Sequence, residues 1–133
     1  MLGEQFAASK GKRTSRRVLS VDGGFTVEVS FEAKGMLAGV EYMEVASYTS
    51  STRPDGGLFG SGQGVIITKD GEVVTWKGSG IGEVDAQGGT EYRGAIYFST
   101  TSGKLAWLNK IAGVFEFSGD AEGNTDSKVW EWK

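Results

Sequence analysis

The sequence predicts an all-β protein, an eight-stranded antiparallel up-and-down β-barrel, with a two-sheet β-sandwich as the alternative. Three observations carry this expectation. Apolar residues recur at every second position, as in Phe25-Thr26-Val27-Glu28-Val29-Ser30-Phe31-Glu32-Ala33. Side chains alternate across a strand, so such a segment buries one face and wets the other. Turn chemistry recurs between these segments, at Asp22-Gly23-Gly24, Lys34-Gly35, Pro54-Asp55-Gly56-Gly57, Asp70-Gly71, Gly88-Gly89 and Glu122-Gly123-Asn124. Those residues supply the positive φ that tight hairpins need. Helix signals are confined to Lys104–Lys110.

Taken in order, the strands fall near 13–21, 25–34, 37–53, 58–69, 72–86, 91–100, 111–119 and 125–132, with the one helical turn over the sixth-to-seventh connection. An even number of hairpin-linked strands lets the first pair antiparallel with the last, and closure removes both sheet edges. Gly60, Gly62 and Gly64, then Gly78, Gly80 and Gly82, take alternate positions of two neighbouring strands. In a small barrel they permit sharp coiling and leave room inside. Residues 1–12 read as a basic N-terminal arm and 13–133 as a single barrel domain, with no linker or repeat dividing it.

Hairpin length fixes which residues share a face. A Lys34-Gly35 turn pairs Ala33 with Met36 and carries the dry face to Val40, Tyr42, Glu44, Ala46 and Tyr48. A two-residue Asp55-Gly56 turn passes it to Phe59, Ser61, Gln63, Val65 and Ile67, and Asp70-Gly71 passes it to Val74, Trp76 and the second glycine run. A turn at Glu122-Gly123 sets Phe115 and Phe117 beside Trp130 and Trp132 as an inner aromatic wall; an outward patch is the alternative for the two tryptophans. For residues 91–100 two parities stand open. A two-residue Gly88-Gly89 turn faces Arg93, Ala95, Tyr97 and Ser99 inward, whereas a three-residue turn buries Tyr92, Gly94, Ile96 and Phe98.

Composition removes whole classes of chemistry. Among 133 residues there is no cysteine and no histidine. Disulfides, thiolate nucleophiles, imidazole acid–base catalysis and most zinc or copper sites are therefore excluded. Five cations against Glu4 give the first 17 residues a local +4, which leaves −7 on the rest of a chain whose net charge is −3. An acidic body argues against a nucleic-acid partner. No apolar run is long enough for a membrane-spanning helix. No apolar segment follows Met1-Leu2-Gly3-Glu4, so a cytoplasmic protein is expected.

The derived interior holds one carboxylate, Glu44, with Tyr42, Tyr48, Ser61, Gln63 and Trp76 on the same face. Desolvation raises the pKa of a carboxyl in an apolar lumen and suits it to general acid or base work near neutral pH. We therefore take Glu44 as the candidate catalytic residue and Tyr42, Tyr48, Ser61, Gln63 and Trp76 as candidate ligand contacts, with no metal and no cofactor. The structural alternative is that Glu44 is bonded within the barrel, to Arg93 if that residue points in. Gly60-Ser61-Gly62-Gln63-Gly64 and Gly78-Ser79-Gly80-Ile81-Gly82 lie inside strands, so they lack the helix N-terminus a phosphate loop requires. Asp120, Glu122, Asn124 and Asp126 alternate as in a calcium loop, but they read better as a polar hairpin tip. Outward Met43, Val45, Val73 and Ile81 are apolar, which predicts a homodimer or trimer.

The segments Gly62–Glu72, Trp76–Gly80, Tyr92–Tyr97 and Val129–Lys133 resemble small bacterial barrel proteins of unknown function, similar in glycine-aromatic pattern to the calycin-type barrels typified by allene oxide cyclase. The resemblance covers most of residues 12–133 and includes no catalytic signature. It implies a cofactor-free lumen that binds a small apolar or amphipathic molecule, or a cyclase or isomerase in which the lumen sets substrate shape and Glu44 supplies the acid. It also implies trimeric assembly. A further alternative is a packed barrel that acts through its oligomeric surface.

Overall fold

The alternation resolves into eight strands in the computed structural model, which describes residues 1–133 throughout: β1 (Leu2–Ser20), β2 (Thr26–Leu37), β3 (Val40–Thr52), β4 (Leu58–Thr68), β5 (Val73–Val84), β6 (Thr90–Thr100), β7 (Gly113–Gly119) and β8 (Asn124–Trp132). They pair in sequence order, all antiparallel, and β1 closes on β8. The barrel is thus as expected, and the sandwich is excluded. A short 3₁₀ helix, Ala106–Lys110, lies between β6 and β7.

Loop length decides which face each strand presents. The β2–β3 hairpin turns at Ala38-Gly39, both with positive φ, and sets Leu37 opposite Val40. Lys34 and Gly35 lie inside β2. The expected register was therefore displaced, but both turns are two residues long. Parity survives, and Tyr42, Glu44 and Ala46 are buried on the face of Phe31 and Ala33.

Four other hairpins share one design. Pro54-Asp55-Gly56, Lys69-Asp70-Gly71, Ala86-Gln87-Gly88 and Ala121-Glu122-Gly123 each end on a glycine at φ between 85° and 92°. In each, the residue before the loop donates its N–H to the carbonyl four residues on and accepts the glycine N–H, as Arg53 does with Gly57 and Gly56. This is the type I turn closed by a left-handed residue that three-residue hairpins use. A three-residue loop joins positions of equal parity, so β4 buries Leu58, Gly60, Gly64 and Ile66 and turns Ser61 and Gln63 outward. The expectation that those two face the lumen is overturned. The next loop repeats the geometry, so Trp76 faces inward after all, through two compensating turns. The third settles β6 in favour of Tyr92, Ile96 and Phe98, with Arg93 exposed and paired with Glu116 at 3.8 Å on the outer wall. The fourth sets Phe115 opposite Val129 and Phe117 opposite Ser127. Trp130 and Trp132 consequently lie on the outer parity, Trp132 63% exposed, and the inner aromatic wall expected of them does not form.

Residues 2–12, expected as an arm, are barrel wall: β1 pairs with β8 from Leu2 to Lys12 and with β2 from Ala7 onward. Beyond Lys12 it continues to Ser20 with β2 alone beside it, as a projecting lip. A bulge at Thr14 shifts the register, so that Arg13 lies opposite Phe31 and Arg16 opposite Val29.

Both ends of the barrel are filled. At one, Leu37, Tyr42, Ile66, Val74, Phe98 and Val129 pack with Leu105 and Leu108 from the 3₁₀ connection. There β6 runs past its pairing with β7, which stops at Ile96–Gly113. The Asn109 side chain stands in for the missing strand, accepting from the Thr100 N–H at 2.8 Å and donating to its carbonyl at 3.0 Å. At the other end, Phe31, Tyr48, Tyr92 and Phe117 form a quartet with ring centroids 5.1 to 6.4 Å apart. Such ring pairs contribute ~0.5–1.5 kcal/mol each beyond the area they bury. The alternate glycines are the seats for these rings. A Cβ at Gly82 would lie 2.5 Å from the Tyr92 ring, and one at Gly64 would lie 2.4 Å from Trp76 Nε1.

Candidate functional site

Between the two plugs runs a narrow cavity of about 80 Å³, reaching from Tyr48 and Phe117 at one end to Tyr42, Ile66 and Val129 at the other. Of the predicted contacts, the structure brings together Tyr42, Glu44 and Tyr48 on β3 with Trp76 on β5. Gln63 has no part in the cavity, and Ser61 borders it only as a wall position whose residue is exposed outside. Tyr92, Phe98, Phe115 and Phe117 add further aromatic rings to the lining. Their inward parity follows from the three-residue loops, and the signal for it in the sequence is the glycine three places after Asp85 and Asp120.

Glu44 is 7% exposed and accepts a hydrogen bond from the Trp76 indole N–H at Oε2, 2.6 Å away. Gly64 positions that indole, since any side chain there would occupy its place. No buried side-chain polar atom lacks a partner, so the second carboxylate oxygen, which bonds to no protein group, keeps access to the cavity. Desolvation raises the Glu44 pKa from 4.5 to about 7, against the pull of the indole bond. Burial, helped by the Glu44 charge, pushes the Tyr42 phenol up to about 12, while Ser9 pulls the other way. Tyr48 and Tyr92 are raised mainly by burial; the Tyr92 hydroxyl shares a 2.6 Å bond with the buried Ser50 hydroxyl.

The site therefore holds one proton that exchanges near neutrality, three phenols that keep theirs, and mostly apolar walls, with Ser127 among the few further polar residues. A water occupies roughly 30 Å³ and drug-sized ligands need about 300 Å³ or more. The cavity thus suits a small or slender apolar group and not a drug-sized ligand. No cluster of three or more His, Cys, Asp or Glu residues is arranged to hold a metal ion. The Asp120 carboxylate is spent on its own hairpin, accepting from Glu122 N, Asn124 N and Asn124 Nδ2, and those bonds lower its pKa. No helix is long and apolar enough to cross a membrane.

Fold and site define a closed eight-stranded barrel with one titratable acid in a narrow apolar lumen. No known protein family matches the sequence, and no curated protein does. Solved structures share the fold. A protein of unknown function from Clostridium acetobutylicum superposes with a TM-score of 0.85 at 19% identity, over 96% of each chain. A β-barrel-like protein from Acinetobacter baumannii gives 0.83 at 14% identity, covering 100% of this chain and 96% of its own. An enzyme from Penicillium herquei gives 0.71 at 13% identity, covering 96% and 92%. At these identities the similarity establishes the β-barrel fold alone.

Proposed function

We propose that this barrel binds a small apolar or amphipathic molecule in its lumen. The observation that carries the reading is the second oxygen of Glu44, a buried carboxyl with no protein partner there, facing a mostly apolar cavity. A carboxyl poised near pH 7 serves a ligand hydroxyl or carbonyl equally, as acceptor or as donor. Tyr42, Tyr48 and Trp76 supply the wall, and the reading needs no cofactor. Native mass spectrometry of the purified protein, followed by a denatured spectrum, tests it. Extra mass that vanishes on denaturation supports binding. A clean mass that stays unchanged when apolar and amphipathic probes are added overturns it.

A second reading is a cofactor-free cyclase or isomerase of the allene oxide cyclase-like type, favoured by the titration of Glu44 near neutrality and by the fold shared with the Penicillium herquei enzyme. Glu44 would give or take the proton while the narrow walls hold one conformer. Glu44→Gln then abolishes turnover and keeps binding. Loss of both together assigns Glu44 to binding instead. Independently of the lumen, Met43, Ile67 and Val73 lie opposite one another on the outer wall beside Val45 and Val65, each at least 43% exposed. On this face we place the contact of a homodimer or trimer.

A further inference from the structure

We propose that Arg13 and Arg16 form an anion-recognition site on the lip of the barrel, so that the molecule entering the lumen is an amphipathic anion with a slender tail. The proposal rests on the lumen-binding reading and adds to it the charge of the ligand. It begins with the bulge at Thr14. Without that extra residue, cationic side chains three apart in a strand would point to opposite faces. With it, Arg13 lies opposite Phe31 and Arg16 opposite Val29, and both partners are buried inward-facing residues. Directly opposed residues share a face of the sheet, so both guanidinium groups belong to the inner side of the lip. Bulges commonly re-aim side chains in this way beside functional sites.

Neither arginine has an acidic partner. Their neighbours on the strand do: Arg17 meets Glu28 at 3.2 Å, and Lys10 meets Asp126 at 3.0 Å. Arg13 is half-buried, its backbone N–H bonded to the Gly123 carbonyl and its side chain laid against Gly123, where any Cβ would lie 3.3–3.4 Å from it. Its position is thus fixed by packing, while its charge is left for another group. Both arginines are close enough to Tyr48 for their charge to favour the ionised phenol, so they stand at the end of the barrel where the ring quartet closes the cavity. Guanidinium groups suit carboxylate, sulfonate and phosphate oxygens, which they hold through paired N–H donors. The narrow cavity behind the rings suits an unbranched chain. One molecule satisfies both features if its anionic head stays on the lip and its tail passes the rings toward Glu44.

The test compares octane-1-sulfonate, charged at any working pH, with octan-1-ol and methanesulfonate by titration calorimetry. Wild type, R13Q/R16Q, the single exposed variant R16Q, and an outer-wall control R93Q are used. Octanesulfonate is expected to bind wild type and R93Q at least tenfold more tightly than octanol does. R13Q/R16Q should lose that preference while its octanol affinity holds, with R16Q between. If octanol binds and sulfonate gains nothing, or the preference survives in R13Q/R16Q, the anion site falls and lumen binding stands. If methanesulfonate binds as tightly as octanesulfonate, head and tail are not read together and the proposal fails. If neither octyl probe binds, the lumen reading fails and takes this proposal with it.

Discussion

Replacing Glu44 with Gln should remove most of the fall in stability that this protein shows as pH rises through neutrality. The folded pKa of Glu44 is raised from 4.5 to about 7 by desolvation. The native state therefore holds its proton over a range in which the unfolded chain has lost it. The stabilisation tied to that proton is complete below about pH 4.5 and is lost as pH climbs through 7. At about 1.36 kcal/mol for each tenfold difference in proton affinity, the full effect is ~3 kcal/mol, of which about 2 kcal/mol falls between pH 5.5 and 8.5. In a domain of this length that corresponds to a drop of very roughly 5–10 °C in Tm. The assay is urea unfolding of wild type and Glu44→Gln at four pH values across that window, with the difference between them plotted against pH. The window stays above the range in which surface carboxylates titrate. A difference that does not change with pH would refute the argument, because it would mean that Glu44 is solvated in the folded state.

Four further outcomes are expected. Gly64→Ala places a methyl where the Trp76 indole sits; it should cost ~1–3 kcal/mol and red-shift tryptophan emission as the bond to Glu44 breaks, and an unchanged spectrum would contradict this. Tyr92→Phe leaves the buried Ser50 hydroxyl without its 2.6 Å partner and should cost about 1–3 kcal/mol in urea unfolding. Asn109→Ala frees the Thr100 N–H, so amide exchange at Thr100 should accelerate at least tenfold with little change at Val74; equal acceleration at both would point to global destabilisation. Ile67→Lys should reduce an oligomeric mass in light scattering to that of a monomer, and a wild-type monomer at micromolar concentration would eliminate the outer-wall contact.

The barrel and its strand count were legible in the sequence because alternation and glycine turns are local signals. The acid in the lumen was legible for a subtler reason. Placing the β2–β3 turn at Lys34-Gly35 rather than Ala38-Gly39 moves the register by an even number of positions, so Glu44 stays inside. Ser61, Gln63 and Trp130 were misplaced because Asp-Gly and Glu-Gly pairs were read as two-residue turns. In the structure each glycine closes a three-residue loop, with Asp85 Oδ1 and Asp120 Oδ1 each capping two backbone N–H groups of its own loop. That side-chain capping is a physical cue to the longer turn after Asp85 and Asp120, whereas the loop after Arg53, which sets the parity of Ser61 and Gln63, has no such cap from the residue before it. The use of the glycine seats was not legible, since whether a bare position holds a ligand or a neighbour's ring depends on residues far away in the chain. Tyr92 over Gly60 is an example.

The lip formed by β1 beyond Lys12 has a consequence for the protein in crowded solution. Closure protects most of the backbone, and Thr100 at the end of β6 is covered by the Asn109 amide. The Arg13 N–H is still held by the Gly123 carbonyl, but from Thr14 to Ser20 one flank of β1 carries N–H and C=O groups with no β8 strand beside them. An unprotected flank of that kind templates strand addition from another chain, the first step of fibril growth. Here the Thr14 bulge breaks its regular spacing, and Arg13, Arg16 and Arg17 make each incoming copy repel the last. Neutralising those charges, by polyanions or by mutation, should therefore lower the concentration at which the protein aggregates, even where its folding stability is unchanged.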